Sequence, residues 1–252
     1  MGGRPEKPVD RTVPARAKLA DFLRSRKAKV VDLTYEEMAK LMGGTPSKAT
    51  FERAASGASV PSWETVETFI KVTVTMEEEF AGGLAAALAR GLELWIRARR
   101  ATRAPYYVHK APDPELISSV ADFSQALRDQ HVWAGYPTPG EMQRTSSFGT
   151  LPSSTARRII KGSILPVDAE QAVAFLKACY VLEPVDLAPW IAAAIRALRH
   201  RGEARKKDVT GWDDIYWILH RQIRLDSGSR PPLRLESMKL VDWPELEELR
   251  AA

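Results

Sequence analysis

The chain has 252 residues, 44% hydrophobic and 27% charged, with a net charge of +5 and a pI near 9.3. This composition excludes bulk disorder, and no run approaches the roughly 18 uninterrupted apolar residues of a membrane span. Cys179 is the single cysteine, which excludes an internal disulfide and every multi-cysteine metal site.

The length suits one large domain or two of ordinary size. The basic excess is local, because residues 1–30 hold nine Lys and Arg against three Asp and Glu. Residues 1–14, with Gly2, Gly3, Pro5, Pro8 and Pro14, lack apolar periodicity and are expected to form a flexible basic arm. Met1 to Arg11 has no apolar core, so no secretory signal is read there and a cytoplasmic, nucleoid-associated location is expected.

A first helix is predicted over residues 15–29, with Leu19, Phe22 and Leu23 inward. Thr34 caps the next, and Glu37 three residues on completes a capping box. Met38, Leu41 and Met42 are expected to form its buried face, and Gly43-Gly44 to stop it. Thr45-Pro46-Ser47 opens a short helix with Phe51, Ala54 and Ala55 inward and Lys48, Glu52, Arg53 and Ser56 outward, closed by Gly57. Pro61-Ser62-Trp63-Glu64 starts a fourth helix carrying Val66, Phe69 and Ile70. One long Ala-rich helix is predicted over residues 76–102, followed by a Pro-marked connector at 105–114.

The pattern then returns. Ala121-Asp122-Phe123 repeats Ala20-Asp21-Phe22, and Pro137-Thr138-Pro139-Gly140-Glu141-Met142 repeats Leu33-Thr34-Tyr35-Glu36-Glu37-Met38. Ser153 to Gly162 stands over Lys48 to Gly57, and Pro166 over Pro61. Ala174-Phe175-Leu176-Lys177 repeats Thr68-Phe69-Ile70-Lys71, and Leu187-Ala188-Pro189-Trp190-Ile191 matches Leu92-Glu93-Leu94-Trp95-Ile96. Anchors in one order with small shifts mark a diverged duplication. The tail has no counterpart. Trp212, Tyr216, Leu219 and Ile223 line one side of an amphipathic helix, a loop is expected at 226–232, and Trp243-Pro244-Glu245 opens a short acidic helix.

Short helix, Gly turn, second short helix closed by Gly: residues 15–74 resemble the Cro/phage-repressor (Xre-like) helix-turn-helix family of bacterial DNA-binding proteins. Val60-Pro61-Ser62-Trp63-Glu64-Thr65-Val66 is the most specific stretch. Residues 121–180 resemble the same family, best at Leu151-Pro152-Ser153-Ser154-Thr155. The resemblance implies an all-α fold of two tandem lambda-repressor-like helix-turn-helix bundles, with additional long helices and a helical C-terminal tail. The expected domains are an arm at 1–14, a first helix-turn-helix domain at 15–104, the connector at 105–114, a second domain at 115–207 and an extension at 208–252.

It also implies sequence-specific binding of double-stranded DNA, in transcriptional control, with the third helix of each bundle in the major groove. In the second copy the expected contacts are Ser153, Ser154, Thr155, Arg157, Arg158 and Lys161, with Thr138 and Arg144 on the preceding helix. In the first they are Ser47, Lys48, Thr50 and Arg53, with Thr34 and Lys40, and Arg24, Arg26 and Lys27 on the first helix. Glu52 stands where Arg157 does, and a carboxylate facing DNA repels phosphate, so the second copy reads as the stronger grip. The Arg-rich stretches at 97–103 and 196–207 sit at helix ends, where cations favour the dipole. Trp95, Trp190 and Cys179 read as core residues.

The four histidines (His109, His131, His200, His220) lack metal-ligand spacing, and no phosphate loop or nucleophile elbow occurs, so neither catalysis nor a cofactor is expected. Asp213 and Asp214 are adjacent and so point to different faces of a helix. Double-stranded DNA, a second copy or an internal pseudo-dimer, and a protein at the Trp-rich tail (Trp212, Trp217, Trp243) are the expected partners, with no membrane. Two alternatives stand beside transcriptional control. One is replicon maintenance (replication, partition or chromosome-end binding), the other a protein-interaction scaffold. Inverted and direct DNA repeats both fit the duplication.

Overall fold

This computed structural model describes residues 6–147, 149–199 and 206–229, the side chains of 206–210 and 227–229 excepted. Every regular element among them is a helix, and the chain divides into two compact units, residues 1–104 and 105–252. No described helix is long and apolar enough to cross a membrane.

The first unit comprises α1 (Pro14–Ala28), α2 (Tyr35–Leu41), α3 (Lys48–Ala54), α4 (Trp63–Val72), α5 (Met76–Phe80) and α6 (Gly83–Arg103). Local chemistry sets most of the starts. Thr34 Oγ1 accepts from the Glu37 N–H while Glu37 accepts from the Thr34 N–H, and Ser62 Oγ accepts from the Thr65 N–H. The core is built from Leu19, Leu23, Met38, Phe51, Val66, Phe69, Ile70, Trp95 and Ile96. Phe69 meets Phe51 and Tyr35 edge to face at 5.6 and 6.2 Å, and the Trp95 indole N–H donates to the Pro61 carbonyl at 2.8 Å. Such aromatic pairs add about 0.5–1.5 kcal/mol beyond the area they bury.

α6 packs on α1 and α4, and at Gly91 the approach leaves no room for a side chain. A methyl group there would overlap Ile70 Cδ1, a fully buried side chain, and touch the Phe22 ring. Overpacking of this kind costs about 1–3 kcal/mol, against a gain of roughly 1 kcal/mol for Ala over Gly inside a helix. Gly91→Ala is therefore expected to destabilise the first unit by up to about 2 kcal/mol in urea titrations followed by Trp fluorescence; a raised midpoint would contradict the packing.

Three expectations for this unit are corrected. The single helix over 76–102 is two, because Thr75 and Glu78 form a capping box that starts α5, and Gly82 breaks the path in a left-handed conformation, φ 70°. Leu41 and Met42 are exposed rather than buried, since α2 ends there and the chain leaves through Gly43-Gly44; Tyr35, Met38 and Ala39 form the inward face. The arm is not free along its described part. The Asp10 N–H donates to Ser56 O at 2.8 Å, Arg24 to Lys7 O at 2.8 Å, and Arg16 to Thr12 Oγ1 at 2.9 Å. Residues 1–5 of the arm lie outside the described residues.

The second unit contains a 3-10 turn (Pro114–Leu116), then α7 (Val120–Trp133), α8 (Pro139–Thr145), α9 (Ser153–Ile160), α10 (Ala169–Ala178), α11 (Pro184–Arg199) and α12 (Lys206–Ser229). It repeats the devices of the first. Thr138 and Glu141 form the capping box of α8, and Met142 is buried as Met38 is. Gly57 and Gly162 close α3 and α9 with φ 75° and 72°. Asp32 and Tyr136, two residues before the capping Thr, both take left-handed φ (59° and 57°).

The α1–α7 equivalence differs from the Ala-Asp-Phe match. Burial pairs Leu19 with Phe123, Leu23 with Leu127 and Arg26 with Gln130, whereas Phe22 is only half-buried and Phe123 fully so. The last pair is functional in the fold. Arg26 donates to Thr73 O at 3.0 Å and Gln130 to Cys179 O at 3.1 Å, so each unit closes the C-terminus of its fourth helix with a buried side chain from its first. Cys179 itself is fully buried, and burial pushes its thiol far above the ordinary range, so it packs rather than reacts.

α12 lies on α11 and α10 through Trp212 and Leu219, with Trp212 edge-on to Phe123 at 6.4 Å. Trp212 is thus a core residue, not part of an exposed tail site. The helix runs on through Ser229, past the start of the loop expected at Asp226. Trp243 and the acidic helix lie outside the described residues.

Candidate nucleic-acid interface

α8 and α9 are joined by the loop after Thr145 and fastened at their approach. Gln143 Oε1, on α8, accepts the Ser153 N–H at 2.9 Å, satisfying one of the orphan donors at the start of α9. Ala156 and Ile159 anchor α9 in the core, with Leu151 buried just before it. The opposite face carries Ser154, Arg157, Arg158 and Lys161, all exposed, at i, i+3, i+4 and i+7, which is one stripe of a helix surface. Ser153 and Thr155 are half-buried at its edge. Behind the stripe the Arg128 guanidinium packs on Gly162, where an added Cβ would lie 3.0 Å from its Nη1.

The stripe is electrostatically uncompensated. Among the described residues, none of Arg144, Arg157, Arg158 and Lys161 has a carboxylate within ion-pair distance. Residues 138–162 hold four bases and one acid, and that acid, Glu141, bonds back to the Thr138 N–H at 2.7 Å. Thr138 Oγ1 accepts from the Glu141 N–H, which leaves its hydroxyl proton free to donate.

The first unit arranges the same positions differently. Glu36 pairs with Lys40 at 3.4 Å and with Lys48 at 3.6 Å, while Gly140 takes its place in α8. Lys40's hydrogen bond and charge, then Lys48, hold the Glu36 carboxyl below its ordinary range, so it stays ionised at neutral pH. Glu52 is exposed on α3 where α9 has Arg157. Arg53 turns to Thr50 Oγ1 at 3.3 Å, and Thr50 shares a hydrogen bond with Ser47 at 3.0 Å. Thr34 caps α2. Residues 34–57 hold three bases and three acids, a neutral face.

The three α1 cations, Arg24, Arg26 and Lys27, are used internally, which corrects their expected role. Arg26 is buried, bidentate to Glu78 at 2.8 and 3.0 Å. Arg24 donates to Ala55 O and Lys7 O and faces Glu6 at 3.4 Å. Lys27 pairs with Glu6 at 3.2 Å and sits 4.8 Å above the Tyr35 ring.

The other Arg-rich stretches also have fold roles. Arg90 and Arg97 flank buried Glu93, Arg99 is buried over the Trp95 ring at 4.5 Å, and Arg196 clamps the carbonyls of Pro114 and Ile117 at 2.9 and 3.0 Å. Arg199 pairs with Asp213 at 3.1 Å. Arg201 and Arg205 lie outside the described residues, as do the side chains of Lys206 and Lys207.

Gln143, Gly140 and Arg128 shape this face without having been singled out from sequence. Gly140 was legible, since it aligns with Glu36 in the repeat; Gln143 and Arg128 act across helices, which periodicity does not encode. No group of three or more His, Cys, Asp or Glu placed to hold a metal ion occurs among the described residues. Comparison with known proteins finds no matching family model, curated protein or solved structure.

Proposed function

We propose that this chain is a sequence-specific double-stranded DNA-binding protein, a transcriptional regulator, in which α2–α3 and α8–α9 are helix-turn-helix pairs and α9 is the reading helix. The observation that carries this is the outward stripe of Ser154, Arg157, Arg158 and Lys161, cationic and without acidic partners among the described residues. Arginines on a short exposed helix suit the major groove, where they reach guanine O6 and N7, while Lys and hydroxyl groups hold phosphate. Arg144 and Thr138 on α8 add backbone contacts. The neutral α2–α3 face gives the first unit a minor share of the grip.

The experiment is selection of bound sites from random duplexes, followed by a salt titration on the selected site. If Arg144, Arg157, Arg158 and Lys161 neutralise four phosphates or their equivalent, log affinity falls with log salt at a slope of about −4 per chain. An unenriched pool together with salt-independent binding would refute the reading.

A further inference from the structure

The outer face of α12 carries exposed apolar and charged side chains. Trp212 and Leu219 turn to the core, while Trp217, Ile218 and Leu225 are 62%, 56% and 61% exposed. Asp214, Ile218, Arg221 and Leu225 recur at i, i+4, i+7 and i+11, a straight stripe on the side of the helix opposite Trp212 and Leu219, with Trp217 at its flank. Asp214 and Arg221 are both exposed, and neither has an ion-pair partner among the described residues. They are two helical turns apart, too far to pair within one helix.

That order of charges is self-complementary. When two copies of the helix are laid antiparallel with the two-fold axis between Trp217 and Ile218, each Asp214 falls opposite the other copy's Arg221. Trp217 of each then meets Ile218 of the other. A two-fold interface requires a patch that matches itself in this way. Asp214 within the stripe would repel a nucleic acid, and a purely acidic or basic partner would leave one sign unpaired. We propose that this face of α12 is the interface between two copies of this chain. The proposal extends the DNA-binding reading, since a dimer brings two α9 stripes to one site, but its test uses no DNA.

The test is sedimentation of the full chain over a concentration series, with circular dichroism to verify helix content. The wild type is expected to dimerise, and Ile218→Glu to remain monomeric at the same helix content. Asp214→Arg and Arg221→Asp should each weaken association about tenfold or more through like-charge contact, and the double exchange should restore it. A wild type that is monomeric throughout overturns the proposal and leaves the face to a different protein. So does a dimer indifferent to Ile218→Glu, or charge reversals that fail to rescue each other. A dimer without DNA affinity would instead remove the DNA-binding reading and leave this interface standing.

Discussion

Replacing Arg157, Arg158 and Lys161 together by alanine is expected to abolish specific DNA binding and to reduce the salt slope by about 3 units per chain, while helix content stays unchanged. All three side chains are exposed and make no ion pair or hydrogen bond that holds the fold among the described residues, so their removal leaves Ala156 and Ile159 packed as before. Each lost contact to a base edge is worth about 1–3 kcal/mol, or roughly fivefold in affinity at the lower end. The single variants should separate roles. Loss of a base-reading arginine relaxes preference at one position of the selected site, whereas loss of a phosphate contact weakens all sequences alike. Lys48→Ala with Arg53→Ala provides the internal control, because Glu36 and Glu52 already offset those charges. Its effect should be within a few-fold. Equal losses from the two helices, measured by anisotropy at fixed salt, would contradict the asymmetry between the units.

That asymmetry was partly visible in sequence, and the reasons are local. Capping boxes and closing glycines depend on residues three or four apart, so Thr34 and Gly57 announced their helix ends, and the repeat carried them to Thr138 and Gly162. The exchange of Glu52 for Arg157 follows from that alignment. What depends on distant partners was not visible. The identity of Ala-Asp-Phe suggested one register for the first helices, while burial pairs Arg26 with Gln130, two residues that share no chemistry beyond donating to a carbonyl. Leu41 and Met42 satisfied helical periodicity but lie at an exit turn, where periodicity no longer reports burial. Of the nine bases of residues 1–30, Arg4, Lys7 and Arg11 stand in the stretch expected to be a free arm and the rest belong to the first helix. Glu6, Asp21, Glu78 and several backbone carbonyls account for most of them, in contacts between residues 10 to 52 positions apart that periodicity does not report.

Glu78→Ala is expected to cost the first unit about 3 kcal/mol, more than Arg26→Met at about 1–2 kcal/mol, although the two residues form one ion pair. Arg26 is only 4% exposed, and removing Glu78 strands its guanidinium in the core with a single carbonyl, Thr73 O, as acceptor. Removing Arg26 instead leaves Glu78 near the surface and still bound to Lys29 at 2.7 Å, with an apolar methionine filling the vacated volume. The cost of losing a partner thus falls on the residue that water cannot reach.

The pair also fixes a pH dependence. The Lys29 hydrogen bond, then Arg26, hold the Glu78 carboxyl down at about 2 against an ordinary 4.5, with partial burial opposing them. A carboxyl depressed by folding adds stability that is complete above its unfolded value and disappears as pH falls through its folded one. The wild-type advantage over Glu78→Gln should therefore be constant above about pH 5 and shrink steadily between about 4.5 and 2. Urea midpoints of both proteins across that range measure it. A gap that widens on acidification would mean that Glu78 is not the ionised partner of Arg26, and the joint between α1 and α5 would need another explanation.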